Sequence, residues 1–120
     1  MKSSGFTLTE LIVTIVLIGI LATIAVPRFI NLSTTSRQNA TNSIAASLTA
    51  ASASNFAKRT ANSSTGSVVL NCTDIGPLIS GGLPAGYTIT SLAVSAGSSV
   101  NCTLNGPGST TATFVAIGIT

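Results

Sequence analysis

Polar and apolar positions divide the chain into three stretches with different periods. Residues 11–26, LIVTIVLIGILATIAV, leave no polar face on a helix, since Leu11, Val13, Ile15, Leu17, Ile20 and Ile24 point in all directions around it. Such a helix must be buried in lipid or in protein. Gly19 and Pro27 interrupt it: glycine weakens a helix by about 1 kcal/mol, and an interior proline removes a backbone bond at a cost of about 3 kcal/mol. A kink or local melting is therefore expected over residues 19–27. Beyond Pro27 the pattern becomes amphipathic. Phe29, Leu32, Ala40, Ile44, Leu48, Ala51 and Phe56 recur at spacings of three, four or their multiples, and Ser, Thr, Asn and Arg37 fill the other faces. The turn-forming run NSSTG at 62–66 ends it. A helix over residues 6–60 would be about 80 Å long, more than a chain of this size can hide, so half of it must protrude.

From Ser67 the period drops to two. SVVLNC at 67–72, YTITSLAV at 87–94, SVNCTL at 99–104 and TATFVAIGI at 111–119 read as four strands. Between the first two, the segment at 73–86 predicts one short helical turn capped by Thr73 or Asp74. Turns are expected at 97–99 and 105–108. Alternation in Thr88-Ile89-Thr90 and in Thr113-Phe114-Val115 suits a sheet with one face on the helix. The expected class is α+β: a helical spine over about 6–60 and a C-terminal antiparallel sheet of about four strands.

Composition narrows the chemistry. Only 6% of the 120 residues are charged, histidine is absent, and the acids are Glu10 and Asp74 alone. The cations Lys2, Arg28, Arg37, Lys58 and Arg59 are too scattered for a nucleic-acid footprint. Lys58 and Arg59 read as a solvated helix end where cations complement the dipole. No serine has a candidate base and no second acid stands near Asp74, so an enzyme is not expected, nor is a metal or other cofactor. Zinc would want four ligands, which two cysteines without histidine cannot supply. Cys72 and Cys102 therefore read as a disulfide in an oxidising compartment, with two buried free thiols as the alternative. Closing a loop of about 30 residues contributes roughly 3–4 kcal/mol on the chain-entropy model.

The beginning of the chain admits three readings. A secretory signal needs a basic start, an apolar run and a small-residue cleavage site; Lys2 and the residues at 23–25 supply poor versions of these, but Glu10 sits where that signal wants no acid. A single-pass anchor is nearly long enough over 11–26 and also leaves Glu10 unexplained. The third reading is a leader ending at Gly5. The basic MKSSG followed by FTLTELIV resembles the class III signal of type IV pilins and related pseudopilins. The resemblance is specific over residues 5–32 and weak afterwards. The segment GLPAGY at 82–87 resembles one in compact pilins of the mannose-sensitive haemagglutinin kind.

That resemblance implies a prepilin peptidase cutting between Gly5 and Phe6, methylation of the new Phe6 amine, and assembly into a helical homopolymer by a separate pilus machinery. It places the family's helix-loosening glycine and proline at Gly19 and Pro27. The implied organisation is a cleaved leader at 1–5, an apolar protruding half-helix at 6–30 serving as membrane anchor and filament core, an amphipathic half at 31–62, and a β head at 63–120. The subunit would wait in the bacterial inner membrane and end in an extracellular pilus, with contact to a host surface or DNA through the filament. Glu10 then has a physical role. An acid inside packed apolar helices is strongly unfavourable unless paired, and the cationic amine of Phe6 lies one turn away, on the same chain or a neighbour. Pairing with a neighbour selects one axial stagger. The function expected is major pilin of a type IV pilus, serving adhesion, twitching motility or DNA uptake; a type II secretion pseudopilin or a minor pilin is the alternative. The calcium loop typical of the major pseudopilin wants several oxygen ligands that Asp74 alone cannot provide.

Overall fold

The computed structural model describes residues 5–120, except for the side chains of residues 24–32. One long helix, α1 (Leu8–Ala61), is followed by a 3-10 helix (Cys72–Leu78), strand β1 (Thr88–Ile89), strand β2 (Ser99–Asn105), a second 3-10 turn (Pro107–Ser109) and strand β3 (Thr111–Ile117). The chain divides into two units, Met1–Thr34 and Thr35–Thr120, and α1 contributes to both.

The sheet is antiparallel in the order β1-β2-β3, with Cys102 opposite Phe114 and Asn105 opposite Thr111. Alternation puts Cys102 and Leu104 of β2 and Phe114 and Ala116 of β3 on one buried face. Ala45 and Leu48 of α1 complete that core with Val69, Ile75 and Val94. The α+β class and the long N-terminal helix agree with the sequence. The strand expected at 67–72 does not join the ladder: it makes isolated bridges, Val69 to Ile119 and Asn71 to Ala93. The strand expected at 87–94 shrinks to Thr88–Ile89 and that second bridge.

Asn71 explains the interruption. It is extended (φ −147°, ψ 151°), and its side-chain oxygen accepts from the N–H of Thr73 at 3.1 Å. The Asp74 carboxylate reaches back to the N–H groups of Asn71 and Leu70, both at 2.9 Å. These bonds form a capping box that turns the chain into the 3-10 helix, with backbone donors satisfied locally instead of by a neighbouring strand. The cap is thus Asn71, not Thr73 or Asp74, and Asp74 is its reciprocal partner. Immediately after the cap, Cys72 bonds to Cys102, with Cα atoms 5.8 Å apart and both cysteines almost fully buried.

The inward stripe of α1 also differs from the expected one. Phe29 and Leu32 lie outside the described side chains; Ala40 is exposed, and Ala51 and Phe56 are half-buried. Among the described side chains of α1 the buried positions are Thr41, Ala45, Leu48, Ser52 and Asn55. Three of these five are polar, and each is satisfied. The hydroxyls of Thr41 and Thr110 share a hydrogen bond of 2.7 Å. Ser52 Oγ accepts from Ile117 N–H at 2.8 Å, and next to it Thr49 Oγ1 accepts from Val115 N–H at 3.1 Å. Gln38 Nε2 donates to the Thr111 carbonyl at 2.8 Å. Because β3 is an outer strand of the sheet, α1 closes with side chains an edge that would otherwise offer free backbone groups.

Candidate assembly segment at the amino terminus

The helix begins at a reciprocal cap. Thr7 precedes the first residue of α1; its N–H donates to Glu10 Oε2 at 2.8 Å, and the Glu10 N–H donates to Thr7 Oγ1 at 3.1 Å. The Leu11 N–H then closes the first turn on the Thr7 carbonyl at 3.2 Å. This is the Thr-x-x-Glu capping box, in which two orphan donors of a helix start are satisfied by each other's residues. Its carboxylate also sits where a negative charge complements the helix dipole. The sequence pairs Glu10 with a Phe6 amine, of its own chain or of a neighbour; the partner found is Thr7, which stands at the spacing that signals a capping box.

The cap uses Oε2, and Oε1 of Glu10 engages no described residue. Gly5 and Phe6 lie just outside the helix; Phe6 is 87% exposed, and space around Gly5 is open. The described part of the apolar run is exposed on all sides, from Leu11 at 52% to Leu21 at 63%. Its two hydroxyls are turned onto the helix itself: Thr14 Oγ1 donates to the Glu10 carbonyl and Thr23 Oγ1 to the Ile20 carbonyl, both at 2.7 Å. The side-chain donors in this run are thereby satisfied without water, and what faces outward is hydrocarbon. Around Gly19, an added Cβ would meet nothing within 4 Å, so no packing among the described residues requires glycine there. Pro27 lies outside the residues whose side chains are described. Among the described residues, no helical stretch is long and apolar enough to cross a membrane.

Capped start, single acid and outward hydrocarbon fall together in one segment, and the comparisons meet it there. The family model described as the prokaryotic N-terminal methylation motif matches residues 1–26. The type IV narrow pilus major component PilA5 of Thermus thermophilus is 47% identical over 51 residues, covering 42% of this chain. The chain spans 44% of the length of that curated relative. No solved structure matches.

Proposed function

We propose, from the premise that this chain carries the N-terminal segment of a type IV pilin with a class III signal peptide, that it is the major structural subunit of a type IV pilus. The observation that carries this reading is an all-round apolar helix left exposed, starting directly after a capped glutamate, inside the matched methylation motif. A lone chain has no use for such a surface in water. It is suited to lipid while the subunit waits in the inner membrane, and to other helices once it is assembled.

Cleavage between Gly5 and Phe6 creates a cationic amine next to the Thr7–Glu10 box. Glu10 then has two tasks: Oε2 holds its own helix start, and Oε1 accepts from a Phe6 amine, its own or a neighbour's. Moving the helix from lipid to a protein bundle releases little hydrophobic energy, so packing and this ion pair decide the stagger. Gly19 and Pro27 loosen the helix to fit the bundle. The protein itself performs no chemistry; peptidase, methylation and assembly are supplied by other proteins. The filament serves adhesion, twitching motility or DNA uptake through the surface it presents.

The test is the first residue of the extracellular protein, read by mass spectrometry on filaments sheared from cells. An N-methylated Phe6, in a chain that dominates the filament by mass, is the expected result. A start at Val26 would restore the ordinary secretory signal and remove the polymer reading. A chain present only as a trace of the filament would be a minor subunit instead.

A further inference from the structure

We infer that the head carries a small binding cleft beside Lys58 for an acidic sugar, a sugar-sized group bearing a carboxylate or a phosphate. The cleft has a volume of about 180 Å³ and is lined by Ala51, Ser54, Asn55, Lys58, Ser67 and Leu78. Its size is below the ~300–1,000 Å³ of pockets for drug-sized ligands, which restricts it to a small group. The four α1 residues stand at i, i+3, i+4 and i+7 and form one face.

The wall opposite α1 includes Gly66 and Ser67, tied to the helix by Asn55. Asn55 clamps Ser67 with both ends of its amide, donating to the Ser67 carbonyl at 2.9 Å and accepting from the Ser67 N–H at 2.7 Å. Gly66, at φ +71°, tolerates no side chain, because a Cβ would come within 2.6 Å of Asn55 Oδ1 and 2.9 Å of Arg59 Cγ. Leu78 and Ala51 are the apolar residues of its lining, and Ser54, Ser67 and Lys58 are polar ones.

Lys58 is exposed in the last turn of α1, where its charge complements the helix dipole, and its ammonium makes no ion pair among the described residues. Neither acid compensates it: Glu10 is engaged at the start of α1, and Asp74 is held by the amides of Leu70 and Asn71. Arg59, one residue on, adds a second cation, whose Nη1 is held by the Thr65 carbonyl at 3.3 Å and whose Nε is buried without a partner. A preformed polar cleft with an uncompensated cation calls for an anion, and its apolar and hydroxyl-bearing lining residues suit a sugar ring carrying one.

The proposal concerns one chain and stands apart from polymerisation. It is tested by titrating the full chain in detergent micelles, at low ionic strength, with galacturonate, glucose 6-phosphate, inorganic phosphate and glucose, following the amide resonances of Gly66 and Ser67. Saturable shifts with galacturonate or glucose 6-phosphate are expected, and whichever binds more tightly identifies the acid group. Glucose should give none, and inorganic phosphate should bind more weakly than the sugar acid. Lys58→Met should weaken binding by about tenfold, the loss of one charge-assisted contact, while Lys58→Arg retains most of it. Absence of saturable shifts, equal binding of glucose, or wild-type affinity in Lys58→Met overturns the proposal. Inorganic phosphate binding as tightly as the sugar acids overturns the sugar assignment.

Discussion

Glu10 carries two separable properties, an acceptor oxygen and a charge, and substitutions can divide them. Glutamine at position 10 keeps a carbonyl oxygen for the Thr7 N–H and so preserves the cap, but removes the charge. Thr7→Ala does the reverse, deleting the hydroxyl that accepts from the Glu10 N–H at a cost of about 1 kcal/mol to the helix start. In the proposed filament, Glu10→Gln should abolish or strongly reduce piliation while the subunit still accumulates in the membrane. Thr7→Ser should behave as wild type, and Thr7→Ala should retain more filament than Glu10→Gln. Electron microscopy of sheared filaments with immunoblots of membranes measures both. Normal piliation in Glu10→Gln would leave capping as the whole purpose of the residue. Elsewhere in the chain, Gly118 marks the opposite kind of constraint: an added Cβ would collide with the Ser95 carbonyl. Gly118→Ala should lower the melting temperature of the head even though alanine is otherwise the mildest of changes.

At the scale of elements, the head is held by its helix through polar bonds as much as through apolar ones. Removing the acceptors of Val115 and Ile117 with Thr49→Val and Ser52→Ala leaves two N–H groups of β3 unpaired, at about 1–3 kcal/mol each. The double variant should unfold at lower temperature, with hydrogen exchange accelerated first at those two amides. Leu48→Ala, a cavity in the same seam, should cost about 2–5 kcal/mol without that selectivity. The Cys72–Cys102 bond makes a distinct prediction. Both cysteines are buried to within 1% of full, so reductant should leave the folded head intact and act only under denaturant, whereas Cys72→Ser with Cys102→Ser should cost about 2–5 kcal/mol.

These elements also mark how far the sequence could be read. Leu48 and Phe114 declared themselves through periodicity, and the cysteines through the lack of any other chemistry for them. Thr41, Ser52 and Asn55 did not, because a polar residue on a helix reads as solvent-facing until its partner is known, and their partners lie 69, 65 and 12 residues away. The strand expected at 67–72 failed for a local reason: Asn71 and Asp74 satisfy the backbone themselves and turn it out of the ladder. The Thr7–Glu10 box was legible in four letters and was obscured by the charge it contains.

On the scale of the whole molecule, the proposed filament turns a charge pair into a ruler. If an amine at Phe6 meets the carboxylate of a neighbour, their axial offset fixes how far one subunit is displaced from the next. Moving the acid one helical turn, as in Glu10→Gln combined with Thr14→Glu, shifts it by about 6 Å along the axis. The carboxylate is restored in number but not in place, while the hydrocarbon around the described part of the run is unchanged. The expected outcome is either no filament or one whose axial rise is altered, as measured by helical reconstruction of electron micrographs. Retaining the leader tests the same pair from its other member: an uncut chain has Glu10 but no amine at Phe6. Blocking cleavage and removing the charge should therefore give the same defect, and combining them should make it no worse, as two lesions of one interaction do. A shifted acid that assembles with the wild-type rise would show that packing of the apolar surfaces alone sets the stagger, and the ion pair would lose its role as ruler.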